Sequence, residues 1–239
     1  MSPSHPLLST TIHPVGEIDA TARARMFDLM SAQFENVDRE QFERDLDEKD
    51  IAFLVTTPDG LIQGFSTLVA LEADVAGKPV VGLFSGDTII DPEHWADRGF
   101  LRIVGQHLFA LAAQRPDHAV YWLLLTCTFR SYRLISGVYR KYAPRPDAAT
   151  PPDLKAALDA LVPLKFPREY RTEQGVVVLE KPTPVRPERA DVSDRHLEDV
   201  HVDFFVRANP RHARGDFLCC LAEVTPENLT PLGHRLLKL

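Results

Sequence analysis

The stretch Val80-Val81-Gly82-Leu83-Phe84-Ser85-Gly86-Asp87-Thr88-Ile89-Ile90 is an apolar, β-branched run broken by polar residues at 85, 87 and 88. It reads as a strand, and a glycine inside a strand marks a bulge or the close approach of a ligand. Asp91-Pro92 ends it. Working backwards, Ile51 to Thr56 is a short strand, Pro58-Asp59-Gly60 a turn, and Leu61 to Leu71 a second strand. The turn at Ala76-Gly77-Lys78-Pro79 leads into the quoted run, so three sequential neighbours form a meander. Two helices come first. Ala22, Met26, Leu29, Met30 and Phe34 recur at three- and four-residue steps after Asp19, whereas Asp38 to Glu48 is charged apart from Phe42 and Leu46 and belongs on a surface.

Downstream, Phe100, Ile103, Val104, His107, Leu108 and Leu111 follow a helical period that Arg115-Pro116 closes. Ala119 to Thr126 is a continuous apolar run, the pattern of a strand covered on both faces. Tyr132, Ile135, Val138, Tyr139 and Tyr142 mark another helix, stopped by Pro144 and Pro146. The order is α-α-β-β-β-α-β-α. Proline then gathers at 144–152 and 181–187, and both places read as joints. A helix near Leu154 to Leu161, strands near Val176 to Glu180 and Phe217 to Val224, and a helix from Pro226 to Leu237 complete the chain. Pairing the last two strands extends the same sheet, so one domain is expected over 1–239, with a core at about 15–143 and a C-terminal extension at about 144–239.

Among 239 residues, 27 are Lys or Arg and 34 are Asp or Glu, and a net charge of −7 argues against nucleic acid as a partner. The three cysteines form no C-x-x-C pair, which points to a reducing cytoplasm. The longest apolar run, Ala119 to Leu125, is far short of the ~20 residues of a membrane helix, and Met1 to Pro14 carries no leader pattern, so a cytoplasmic protein without a membrane is expected. G-x-S-x-G, G-x-x-x-x-G-K-[ST] and G-x-G-x-x-G are all missing, and the nine histidines include no H-E-x-x-H. Serine-hydrolase, ATP and dinucleotide readings lose their anchor, and no metal site is expected. Cys127, closing a buried run, reads as a small hydrophobe.

The element order, with two more strands after it, resembles the GNAT superfamily of acyltransferases, which take acyl groups from coenzyme A or an acyl carrier protein. That resemblance implies an α/β (α+β) fold: a GNAT-like mixed, mostly antiparallel central sheet flanked by helices, with a C-terminal extension. In that family the third meander strand ends in a splayed edge, and an Arg-Gly-x-Gly turn opens the next helix and cradles the donor pyrophosphate. Here Arg98-Gly99-Phe100-Leu101 occupies that place, with Leu101 where the second glycine would stand and Asp91, Glu93 and Asp97 nearby.

The donor contacts implied are Ile89, Ile90, Arg98, Gly99, Phe100, Leu101 and Arg130. Acyl-CoA or acyl-phosphopantetheine serves as co-substrate, with no cofactor bound permanently. By location, Asp87 is the implied general base and Glu72 the second candidate, and Tyr139 is the implied acid for the departing thiolate. Ser85, Thr88, Thr128 and Tyr132 fall where substrate would lie. Arg130, Arg133, Arg140, Lys141 and Arg145 make a basic segment fit for a phosphopantetheine arm or an acidic carrier protein. The implied activity is N-acylation of a small-molecule amine, in a branch resembling acyl-homoserine lactone synthases and N-acyl amino acid synthases. A catalytically silent binding module of the same fold is the alternative.

Overall fold

A computed structural model describes residues 8–94, 98–187 and 192–239. Strand β1 (Ser9–Pro14) precedes helices α1 (Ala20–Ser31) and α2 (Arg39–Asp47), then β2 (Ile51–Thr56), β3 (Ile62–Val75) and β4 (Lys78–Ile90) form the meander. Helix α3 (Gly99–Ala113), β5 (Ala119–Thr126) and α4 (Phe129–Val138) follow. The remainder comprises α5 (Pro152–Lys165), β6 (Tyr170–Arg171), β7 (Val176–Val177), α6 (Asp194–Leu197), α7 (Val200–Ala208), β8 (Phe217–Glu223) and α8 (Pro231–Leu237). Side chains start the helices where the sequence places capping residues. Asp19 accepts from Ala22 N–H and Asp38 from Gln41 N–H, each satisfying an amide that the first turn leaves without a helical partner.

The strands form one eight-stranded sheet in the order β1-β2-β3-β4-β5-β8-β7-β6. Every neighbouring pair is antiparallel except β4 and β5 at the centre, which run parallel as a helical crossover requires. The architecture is therefore the mixed, mostly antiparallel, helix-flanked sheet expected. Alternation along the strands builds a core on each face. Val81, Leu83, Val120, Trp122 and Leu124 pack with α3, α4, α7 and α8, whereas Val80, Phe84, Tyr121 and Leu123 pack under α5. Ala52, Leu54, Phe65 and Ile89 meet α1 and α2 on the α5 side. Among the described residues no helix is long and apolar enough to cross a membrane.

Several elements differ from the sequence expectation. Strand β1 lies on the sheet edge with most side chains in solvent, so its residues carry little apolar pattern. The expected terminal helix is divided: Pro226–Asn228 forms a 3₁₀ turn, and α8 starts afresh with Thr230 capping and Pro231 in its first turn. The strand near 176–180 keeps only two residues, and α6 and α7 occupy a stretch assigned no element from sequence. The second proline cluster is also more than a joint. Val185 makes a β-bridge to Phe34, so the 182–187 segment is strapped to the α1–α2 turn.

Candidate functional site

The centre of the sheet opens where its one parallel pair ends. β4 and β5 pair from Val80 opposite Ala119 to Ser85 opposite Leu124, and then stop. Beyond that point β4 stays with β3, through Gly86, Ile89 and Ile90, while β5 stays with β8 through Leu125 and Thr126. The two strands part into a wedge. At its vertex Trp122 Nε1 donates to Ser85 Oγ at 2.8 Å.

A bulge shapes the β4 lip. The β3–β4 register slips between Phe65 and Thr67, so Ser66 alone faces the Asp87-Thr88 pair. Ser66 Oγ reaches both sides of the slip, donating to Gly86 O at 3.3 Å and lying 2.8 Å from Thr88 Oγ1. Asp87 takes the extra position with a φ of +30°, an uncommon region for a residue with a side chain. Gly64, opposite Ile90, is required: a Cβ there would lie 2.8 Å from Ile89 O.

Half-buried Asp87 has its carboxyl held above the usual range, chiefly by desolvation, with Lys49 pulling the other way and Asp45 adding to the rise. Lys49 is only 7% exposed; its ammonium donates to Asp45 O at 2.8 Å and sits 5.8 Å from the centre of the Phe84 ring. Thr67 Oγ1, beside Gly86 on the same face, is buried with no hydrogen-bond partner among the described residues. A carboxylate above its normal range takes a proton from an ammonium more readily than a solvated one does, and a cation nearby keeps it ionised.

The wedge gathers Ser85, Asp87 and Thr88 on one lip and Thr128 on the other, where it caps α4 and its N–H donates to Thr126 Oγ1 at 3.0 Å. Glu72 is elsewhere, exposed and opposite Val81, six residues and roughly 20 Å up the strand from Asp87. The Ile89 side chain is buried under α1 and α2, and the Ile90 carbonyl accepts from buried Gln33 Nε2 at 2.8 Å. Tyr132 is fully buried and donates to Pro144 O at 3.0 Å. Tyr139 follows α4 in extended conformation, roughly 15 Å along the helix from Thr128. Its ring packs 5.9 Å from Trp122, behind the vertex, and burial pushes its hydroxyl up. Arg130 is exposed, with its guanidinium 4.8 Å from the Phe129 ring centre. Burial pushes the Cys127 thiol up to about 12, which leaves it protonated and a poor nucleophile.

A basic hollow of about 400 Å³ lies at the start of α3. Arg98, at the N-cap, and Arg102 supply one side; Arg235 and Lys238 from the end of α8 supply the other. Phe100 is a core residue and Leu101 is partly buried beside it, so these two hold the helix start in place with their side chains. Gln106 Nε2 donates to Leu237 O at 2.8 Å and joins the two helices. Sequence reading found Arg98 and missed the α8 pair, which lies 137 and 140 positions away in the chain and carries no motif.

A second hollow, about 740 Å³, opens beneath the 182–187 strap, between the α1–α2 turn and the His212–Arg214 turn. Glu35, Asn36, His212 and Arg214 line its ends, and Pro182, Pro184 and Val185 its floor. His212 reaches the Cys127 carbonyl, one residue past β5, and burial holds its ring below the usual histidine range.

No family profile and no curated protein matches the sequence. Solved structures show distant similarity to GNAT-family N-acetyltransferases. A protein of unknown function from Enterococcus faecalis, described as a probable N-acyltransferase, is 17% identical over 56% of this chain and 33% of its own, with a TM-score of 0.42. A GCN5-related N-acetyltransferase from Kribbella flavida is 11% identical over 56% and 34%, with a TM-score of 0.40. This chain therefore spans about a third of the length of either. A GNAT-family N-acetyltransferase from Escherichia coli, solved with CoA, is 17% identical over 56% and 70%, at 0.37.

Proposed function

We propose that the protein is an N-acyltransferase that moves an acyl group from a thioester donor, acyl-CoA or an acyl carrier protein, to a small-molecule amine. The observation that supports this reading is the wedge: two parallel strands that part beyond Ser85 and Leu124, with a carboxylate on a bulge at one lip. A pantetheine arm is thin enough to enter between parted strands, and the basic hollow at α3 offers four cations to the phosphates at its far end.

In this reading the amine nitrogen attacks the thioester carbonyl and forms the C–N bond while Asp87 takes the ammonium proton. Main-chain N–H groups at the bulged end of β4 polarise the carbonyl oxygen. The C–S bond then breaks and the thiolate leaves, taking its proton from solvent at the open mouth, since Tyr139 is buried behind the vertex. With Cys127 protonated, the acyl group passes directly to the amine and no acyl-enzyme forms.

The test is thiol release from a series of acyl-CoA and acyl-carrier donors with a panel of amines. At least one pair is expected to turn over, and Asp87→Asn to lower the rate ~10²–10⁴-fold, the usual loss for a positioned base. No donor binding and no thiol release with any of them overturns the assignment.

A further inference from the structure

Lys49 lies between the end of α2 and the start of β2, and its backbone is fixed on both sides. Its own N–H donates to Leu46 O at 3.0 Å and closes the helix. The next residue is pinned to β3: Asp50 N–H donates to Leu68 O at 3.0 Å, and the Asp50 carboxylate accepts from Ala70 N–H at 2.9 Å. From that anchor the side chain runs beneath the sheet instead of out to water. A Cβ on Gly86 would lie 3.1 Å from Lys49 Cε, 3.6 Å from its Nζ and 2.9 Å from Thr67 Oγ1, so the glycine at 86 gives the lysine its place under β4.

A buried ammonium is costly unless its charge is answered. One N–H of Lys49 goes to Asp45 O, and among the described residues the side chain makes no other hydrogen bond; the Phe84 ring offers only its face. The carboxylates at the same helix end are engaged elsewhere, since Asp45 and Glu48 are both paired with Lys165 at the end of α5. On α1, which packs on this side of the sheet, Arg23 pairs with Glu43 and Asp47, and Arg25 donates to Ile62 O and Gln63 Oε1. That leaves Asp87, the residue after Gly86. The bulge sets Asp87 and Thr88 together opposite Ser66, and Thr88 Oγ1 turns to Ser66 Oγ. Ser66 and Thr67 point to opposite faces, so Asp87 is left to the face on which Lys49 and Thr67 lie. There Lys49 favours the ionised carboxyl, against burial and the charge of Asp45.

We propose that Lys49 is a positioning residue for Asp87: carried beneath β4 from the end of α2, its ammonium is the counter-charge that lets the carboxylate stand ionised at the wedge. What Asp87 then does to an amine rests on the acyl-transfer reading; the pairing does not.

A carbon-13 NMR titration of the Asp87 carboxyl, assigned with Asp87→Asn, tests it without any donor. Lys49→Met should raise the midpoint by about one pH unit, a tenfold gain in proton affinity, and Lys49→Arg should restore most of the parent value. A lysine that merely filled space under β4 would be replaced by methionine without moving the midpoint. Stability gives a second reading. At about pH 8, Asp87→Asn should raise the urea midpoint more in the Lys49→Met background than in the parent, and the two increments should become equal near pH 3, where the carboxyl is protonated in both. An Asp87 midpoint indifferent to Lys49→Met, or increments equal at both pH values, overturns the proposal; so does a Lys49→Met chain that stays unfolded when Asp87→Asn is added. If the midpoint moves but no donor and amine release thiol, the pairing stands and the acyltransferase reading falls. Thiol release from a protein whose Asp87 ignores Lys49 leaves the activity and removes the pairing.

Discussion

Asp87 occupies a left-handed backbone position with a carboxyl whose ionisation burial disfavours. Its folded-state affinity for a proton exceeds that of the unfolded chain, so the native state loses stability as pH rises from the ordinary carboxylate range through the raised value. Asp87→Asn removes that penalty. Its melting temperature should exceed the parent's at pH 7 to 8, with the gap closing toward pH 3, while thiol release falls. Scanning calorimetry across pH checks the first half; a flat difference would mean that Asp87 ionises as freely as a solvated carboxylate. Used as a base, Asp87 must be ionised, so the acid limb of kcat/KM should lie above the normal aspartate range. A second prediction concerns the vertex. Trp122→Phe leaves the buried Ser85 hydroxyl without its donor and should cost about 1–3 kcal/mol in urea unfolding. Asp87 was legible because a carboxylate beside glycine interrupts an apolar strand. Lys49 was not: a lysine closing a charged helix reads as solvent-facing, and only the packing of Phe84 and Gly86 against it puts it under the sheet.

Helix α8 is the element on which the proposed donor binding turns. Gly233 lets it approach α4, since a Cβ there would sit 2.5 Å from Val138 O, a main-chain atom that cannot rotate aside. Gly233→Ala should therefore lower stability by about 1–3 kcal/mol and, by shifting Arg235 and Lys238, raise the KM for a CoA donor more than it lowers kcat. Arg235→Gln with Lys238→Gln tests the same grip without the clash: stability should hold within about 0.5 kcal/mol while the donor KM rises several-fold. An unchanged KM in both variants would remove the hollow from donor binding. The central meander, α3, β5 and α4 were readable because their apolar residues keep strand or helix periods over many positions. Edge strand β1 and the two-residue β6 and β7 offer too few buried positions for a period to show. The 182–187 prolines signal a break in regular structure, which is true, but nothing in that signal tells that the break is strapped to the α1–α2 turn.

For the whole molecule, charge is distributed against its average. The chain carries a net −7, yet four cations converge at α3. Donor affinity should weaken as salt rises from about 0.05 to 0.5 M, whereas an uncharged short-chain thioester should show little change; equal salt dependence for both would argue against phosphate recognition there. The order α-α-β-β-β-α-β-α was legible from end to end, and so was the continuation of the sheet by the Phe217 strand. The long-range meeting of α8 with the start of α3 was not, because a surface arginine at 235 looks the same in sequence whether it faces water or a distant helix start.

Both hollows are completed from distant parts of the chain. Arg98 and Arg102 line one with Arg235 and Lys238; Glu35 and Asn36 line the other with His212 and Arg214. A nascent polypeptide that has folded only its first 143 residues would own the cleft but hold no guest in it. Gentle loosening of the later half, by dilute urea for instance, should then raise the Michaelis constant of the proposed thioester donor while the meander is still intact, so that recognition is the first property lost and the scaffold the last.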